Sequence, residues 1–219
     1  MNKLSTIIWT WKLTFPIGTF WRIHQVIRSI LLPYHCLLNY LPSEGNLLDL
    51  GCGHGVFLAL AKINNRNLKI SGIDLSQSKI NAAKLVFTRA NIRPLSIRMR
   101  DVMDLPREPA DAISIIDVLY LVSLNDWNVI LNKCYDCLKP GGKLILKEMD
   151  RSIKWKFYLL YLQEILAVKV LALTKRSKFV FPRIEDIRSC IKSAGFKKIE
   201  EVSLDRGYYI PHKMWIGYK

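Results

Sequence analysis

At 219 residues, with 50% hydrophobic and 23% charged side chains, the chain has a globular composition, which excludes a disordered, collagen-like or coiled-coil polypeptide and leaves room for one α/β domain with appendages. Lys plus Arg number 33 against 18 Asp plus Glu, a net charge of +15, and the excess sits at the flanks: residues 1–43 hold four bases and no acid, 44–150 hold 14 bases and 12 acids, and 151–219 hold 15 bases and 6 acids. Basic flanks either draw in anions, such as lipid head groups, nucleic acid or an acidic substrate, or keep the surface solvated.

In chain order, residues 1–43 read as an aromatic, basic arm. Trp9, Trp11, Phe15, Phe20, Trp21, Ile23, Val26, Ile27, Ile30, Leu31 and Leu32 are interleaved with bases, and Pro16, Gly18 and Pro33 cut the segment into short helices. Such an arm either caps the sheet edge or the site, or anchors at a membrane with its indoles at head-group depth. Trp9, Trp11 and Lys12 interrupt the first apolar stretch and no small-residue cleavage site follows, so no signal peptide is expected. No run of about 20 uncharged apolar residues occurs. The five cysteines, an odd number at irregular spacing, imply a reducing compartment, and the chain is expected to be cytoplasmic, with peripheral membrane attachment following from the anchor reading.

From Asn46 onward short apolar runs alternate with helix-period stretches. Strands are predicted at 47–50, 68–74, 95–99, 111–117 and 143–149, and helices at about 54–63, 76–90 and 126–138. This alternation implies right-handed βαβ crossovers and a parallel sheet covered on both faces. Pro140, Gly141 and Gly142 are expected to stop the third helix and turn the chain into the fifth strand. After Asp150 the pattern changes: 155–173 is apolar almost all round and needs a cover, either the arm or a hydrophobic ligand or membrane; 174–178 is a basic loop. A helix at about 184–194 and strands at roughly 197–204 and 208–218 complete the chain. Two parts are therefore expected, an arm over 1–43 and a main domain over 44–219 with an accessory, lid-like segment at 151–182.

The stretch with chemistry in it is LLDLGCGHG, residues 47–55: a strand, Asp49, then Gly51, Cys52, Gly53 and Gly55 opening a helix. Val56 stands where a dinucleotide motif needs its third glycine, and no Lys with Ser or Thr follows to grip phosphate. A nucleoside-type ligand across the carboxyl edge of the strands remains. Asp74 ends the second strand 19 residues after Gly55, where a carboxylate accepts two ribose hydroxyls. Asp101 follows the third strand and is placed to accept from an adenine amino group. Cys134 and Cys137 form a lone C-x-x-C in a helix, too few ligands for a zinc site, so no metal is expected.

These residues resemble the class I S-adenosylmethionine-dependent methyltransferases, in particular the small-molecule branch with the quinone-biosynthesis C-methyltransferases. LLDLGCGHG is similar to that family's first motif, GIDLSQSKI to its second, RDVMDLP to its third, DAISIIDVLYLV to its fourth, and LKPGGKLILKE to its loop and fifth strand. The resemblance is strong over about 44–150 and weaker to the end. It implies an α/β, Rossmann-like, seven-stranded and mostly parallel sheet, its last strand antiparallel, with helices on both faces, to which this chain adds its helical arm and an inserted apolar helix. It implies S-adenosyl-L-methionine as cofactor, with Asp49, Gly51, Cys52, Gly53 and Gly55 at the methionine part, Asp74 at the ribose, Asp101 at the adenine, Leu75 and Val102 as further cofactor contacts, and Asp117 with Tyr120 beside the transferable methyl.

The fourth motif reads DVLY and lacks the paired prolines of enzymes that methylate base amines or glutamine, which points to a small acceptor: a phenol, quinone ring, acid or lipid-like molecule, methylated on O or C. An RNA or protein methyltransferase is the alternative suggested by charge, although no RNA-binding module is recognisable; a cofactor-binding scaffold without activity is a third reading. Candidates for a base or for the acceptor side are Tyr120, His212, His54, Glu148, Asp150, Tyr208 and Tyr209. The oligomeric state is left open.

Overall fold

The computed structural model describes residues 1–106, 108–149, 183–204, 207–208 and 212–219. The expected apolar helix at 155–173, the basic loop at 174–178, and Asp150 and Tyr209 lie outside the described residues. The arm forms helices α1 (Lys3–Leu13), α2 (Thr19–Leu31) and α3 (Tyr34–Leu38), broken by a 3₁₀ turn at Phe15–Ile17 where Pro16 starts the turn and Gly18, at φ +86°, ends it. The alternating part follows as β1 (Glu44–Leu50), α4 (Val56–Asn64), β2 (Asn67–Asp74), α5 (Gln77–Arg89), β3 (Ser96–Met99), β4 (Ala110–Ile116), α6 (Leu124–Cys137) and β5 (Leu138–Met149). Helix α7 (Ile184–Ser193) and strands β6 (Lys198–Ser203) and β7 (His212–Tyr218) close the described chain.

The seven strands form one sheet in the order β3-β2-β1-β4-β5-β7-β6. β1 to β5 pair in parallel, and β7 inserts antiparallel between β5 and β6. Strand order reverses between β1 and β4, and a crevice at the carboxyl end of such a reversal is where open α/β sheets bind ligands. Helices cover both faces because the strands read as near-continuous apolar runs. On one face α4, α5 and the arm pack through Leu37, Leu38, Phe57, Leu60 and Phe87; on the other α6 and α7 pack through Trp127, Ile130, Leu131, Ile191 and Trp215.

The fifth strand departs from its expected start. Leu138 already pairs with Ala110, and Lys143 pairs with Ala112, so residues 139–142 bulge out of the ladder opposite Asp111 instead of preceding the strand as a turn. The bulge is fastened: Lys139 Nζ lies 2.8 Å from Asp111, whose carboxylate also accepts the Asn46 backbone N–H, and Gly141 donates to the Lys219 carbonyl. Among the described residues no helix is long and apolar enough to cross a membrane.

Helix α6 begins at Ser123, whose hydroxyl accepts the Asp126 N–H with Asp126 itself in the first turn. It is joined to a second 3₁₀ turn, Leu119–Leu121, by the buried Trp127, whose indole N–H donates to the Leu119 carbonyl at 2.7 Å. Trp127→Phe removes that bond and leaves the Leu119 carbonyl with the Val122 N–H alone, and is expected to cost about 0.5–1.5 kcal/mol, read as a lower urea midpoint at unchanged slope.

Candidate functional site

The bend after β1 is drawn against β2 by backbone chemistry. Gly51 and Cys52 both donate to the Ile73 carbonyl, at 2.8 and 2.9 Å, and Gly51, Gly53 and Gly55 all take positive φ. At Gly51 a side chain is excluded twice over: φ is +76°, and a Cβ would stand 2.4 Å from a Val118 methyl. At Gly53 the space is open, and no atom lies within 4 Å of a notional Cβ, so the loop backbone is bare toward a ligand.

Asp74, at the end of β2, is held by both oxygens: one accepts the Gly53 N–H at 2.9 Å, the other the Ser76 N–H at 2.9 Å. Each oxygen keeps a further acceptor site, so the carboxylate is aimed and still able to take hydroxyl donors. Asp101 is oriented in the same way, through the Met103 N–H at 2.9 Å. Asp49 lies deeper, fully buried, accepting the Ser114 hydroxyl at 2.5 Å. Burial raises its carboxyl pKa to about 7, against the lowering pull of Ser114 and of the Arg28 charge.

Past β4, Asp117 adopts φ +54°, a left-handed conformation in which Asp is tolerated better than most residues. Its N–H donates to the Lys147 carbonyl, and its carboxylate takes the Lys147 ammonium at 2.6 Å. Arg28, from the arm, stands 4.0 Å away. Burial works against ionisation of Asp117, but these two cations outweigh it and hold the carboxyl below its usual range. Glu148 accepts the N–H groups of Val118 and Leu119, at 3.1 and 2.8 Å, and so pins the turn that carries Tyr120.

These elements enclose a cavity of about 350 Å³, within the size range of small-molecule sites. It brings together Asp49, Gly51, Cys52, Gly53, Asp74, Leu75, Asp101, Val102, Asp117 and Tyr120. Gly55 is not in the lining; its φ of +72° opens α4, and a Cβ there would meet Phe87 and Ala83.

The base and acceptor-side candidates fare differently. His54 lines the cavity, but burial and the Lys79, Arg28 and His24 charges lower its pKa to about 3 and the Gln25 amide donates to its Nδ1 at 3.1 Å, which removes the expected near-neutral base. His212 is buried outside the lining, with Nε2 donating to the Leu31 carbonyl at 2.8 Å. Tyr208 is also outside it, against His35 and Lys3. Glu148, expected to line the acceptor side, instead positions the Val118–Leu119 backbone. Cys134 is packed in the core of α6, and among the described residues no three His, Cys, Asp or Glu side chains group as a metal site requires.

The arm closes over the site, one of the two readings its sequence allowed, through residues that the sequence did not single out for that role. Trp21, His24, Gln25 and Arg28 of α2 and Tyr34 of α3 all face the cavity, the Trp21 and His54 rings lying 4.8 Å apart. The signal was the cluster His24, Gln25 and Arg28 on one side of a short helix; nothing in the sequence says that this polar side turns inward. Lys147 was missed as well, since a lysine at a strand end gives no hint of a buried partner 30 residues away.

A methyltransferase-domain family model matches residues 22–201. The chain belongs to that family. Among relatives, a carboxy-S-adenosyl-L-methionine synthase of Shewanella woodyi is 30% identical over 127 residues, 57% of this chain and 51% of that protein. A demethylmenaquinone methyltransferase of Oceanobacillus iheyensis is 24% identical over 185 residues, 78% of this chain and 76% of that protein. In the first case the match spans about half the relative's length. Among solved structures, the S-adenosylmethionine-dependent methyltransferase SibL in its apo form superposes with a TM-score of 0.70 at 18% identity, covering 90% of this chain and 58% of that one, a likeness of fold. The family's methyl donor, S-adenosyl-L-methionine, suits the lining by its chemistry: aimed carboxylates for hydroxyls and amines, a bare glycine backbone, and buried anionic groups for a cation.

Asp49 gives this fit a pH signature. Its folded-state pKa lies above the unfolded value, so this group favours the folded apo protein at acid pH and withdraws that stability as pH rises from about 4 through about 7. A cationic ligand reverses the preference by favouring the ionised carboxylate. Affinity for S-adenosyl-L-methionine is therefore expected to climb with pH and level off above about 7, and Asp49→Asn to flatten the climb, both read by calorimetry.

Proposed function

We propose that this chain transfers the methyl group of S-adenosyl-L-methionine to a hydrophobic small molecule, of phenolic, quinone-like or lipid-like chemistry, at O or C. The observation that carries the reading is the row of three carboxylates, Asp49, Asp74 and Asp101, at successive parallel strands around one cavity that the glycine bend, the arm and the turn after β4 complete. Asp74 takes the ribose hydroxyls, Asp101 and Val102 the adenine, and the glycine loop with Asp49 the methionine portion. When bound, the cofactor supplies a methyl made electrophilic by its sulfonium sulfur. The protein's own task is to hold donor and acceptor in line at about 3–3.5 Å, which by itself supplies much of the barrier reduction.

The acceptor end is assigned to Tyr120, Leu121 and Val122 from the 3₁₀ turn, with Ile116 and Val118 beside Asp117. Their largely apolar character supports a hydrophobic acceptor. Peripheral action at a membrane belongs to the same proposal, since a lipid-like acceptor resides there. The names of the quinone-pathway relatives support this class of acceptor.

Asp74→Ala removes the aimed acceptor of the diol and is expected to weaken cofactor binding by about 10- to 100-fold; unchanged affinity in calorimetry would place the ligand elsewhere. Incubating the purified chain with methyl-labelled cofactor and an extract of source cells should move label into the organic-solvent fraction. Label confined to the macromolecular pellet would overturn the small-molecule reading.

A further inference from the structure

Helices α1 and α2 are packed inside out. On α2 the buried positions are Gln25, 4% exposed, and Ser29, wholly buried, while Phe20, Ile23, Ile27 and Ile30 are 52, 49, 48 and 43% exposed. Their spacing of three, four and three residues puts them in one row along the outer side. On α1 the inward side carries Leu13 together with a column of Thr6, Thr10 and, just past the helix end, Thr14, each hydroxyl bonded to a carbonyl three or four residues back, and the outward residues are Leu4, Ile8, Trp9 and Trp11. Phe15 continues that side. Arg22 links the two rows: its guanidinium sits 3.4 Å over the Trp11 ring and its Nε donates to the Trp11 carbonyl.

A soluble helix turns such residues inward, and an apolar ridge of this extent marks an interaction surface. Its chemistry favours one partner. The arm carries Lys3, Lys12, Arg22 and Arg28 and no acid, Lys12 and Arg22 stand among the indoles, and Arg89 of α5 approaches Phe15. Apolar side chains ringed by indoles and cations, with no carboxylate, complement the acyl boundary and head groups of an anionic leaflet. We propose that the outer faces of α1 and α2 dock on an anionic lipid bilayer.

The inner side of the same α2 holds Trp21, His24, Gln25 and Arg28 against the cavity, with Gln25 bonded to His54 of the glycine loop. Docking through the outer side of α2 therefore acts on an element that also walls the cofactor site, and linkage requires that any factor by which docking changes cofactor affinity be the factor by which the cofactor changes docking. This second step rests on the proposed cofactor reading; the docking surface itself does not.

The test is flotation of the full chain with phosphatidylcholine vesicles that contain or lack phosphatidylglycerol. Binding is expected on the anionic vesicles, weaker on neutral ones and reduced by salt. Ile23→Asp with Ile27→Asp, both outward, is expected to reduce flotation by at least about tenfold while far-ultraviolet circular dichroism and lipid-free cofactor affinity stay unchanged. Equal flotation of wild type and variant, no binding to anionic vesicles, or a lipid-free dimer that the double variant dissociates would each overturn the proposal, the last by making the face an interface between copies. A chain that floats but binds no cofactor overturns the methyl-transfer reading alone, and one that binds cofactor but does not float overturns docking alone.

Discussion

The site depends on one carbonyl. Ile73 receives the N–H groups of both Gly51 and Cys52, and this double acceptance folds the chain leaving β1 back across the end of β2. The same fold brings the Gly53 N–H onto Asp74, so that the bend and the carboxylate position each other. Glycine is obligatory at Gly51, where Val118 closes in from the neighbouring loop, and this contact couples the bend to the turn after β4. Three strand ends are thereby set in register around one hollow.

Charge explains the second half of the cleft. Four carboxylates line the cavity, and burying several like charges is costly unless cations answer them. Lys147 and Arg28 answer Asp117, and the former is buried completely. Asp49 has Ser114 for a hydrogen-bond donor and, raised by burial to a pKa of about 7, is about half ionised at pH 7. A site built in this way is selective by sign before it is selective by shape.

The sheet, and the gathering of the glycine bend and the acids at one cleft, were legible because their signals are local. Period, glycine spacing and acids at strand ends lie within a few residues of one another, and each has a single structural meaning on the carboxyl edge of a parallel sheet. The bulge at residues 139–142 was legible as a turn but not as an interruption within a strand, since that depends on Ala110 and Ala112 pairing to either side. The arm was harder. Its amphipathic period can be read, but a helix with two unlike faces does not announce which one is inside when the interior is a polar cleft. His54 misled for a related reason: its titration is set by burial beside Lys79, Arg28 and His24, brought together only by folding.

The left-handed backbone at Asp117 has a consequence for how the cleft tolerates change. The residue there must accept an uncommon conformation and also neutralise an ammonium that no water reaches. Small residues that tolerate the geometry, glycine or asparagine, strand the charge, whereas glutamate keeps the charge but must fit a longer stem to a positive φ. Replacement of Asp117 is accordingly constrained by geometry and charge together, and a compensated replacement changes position 147 in the same stroke.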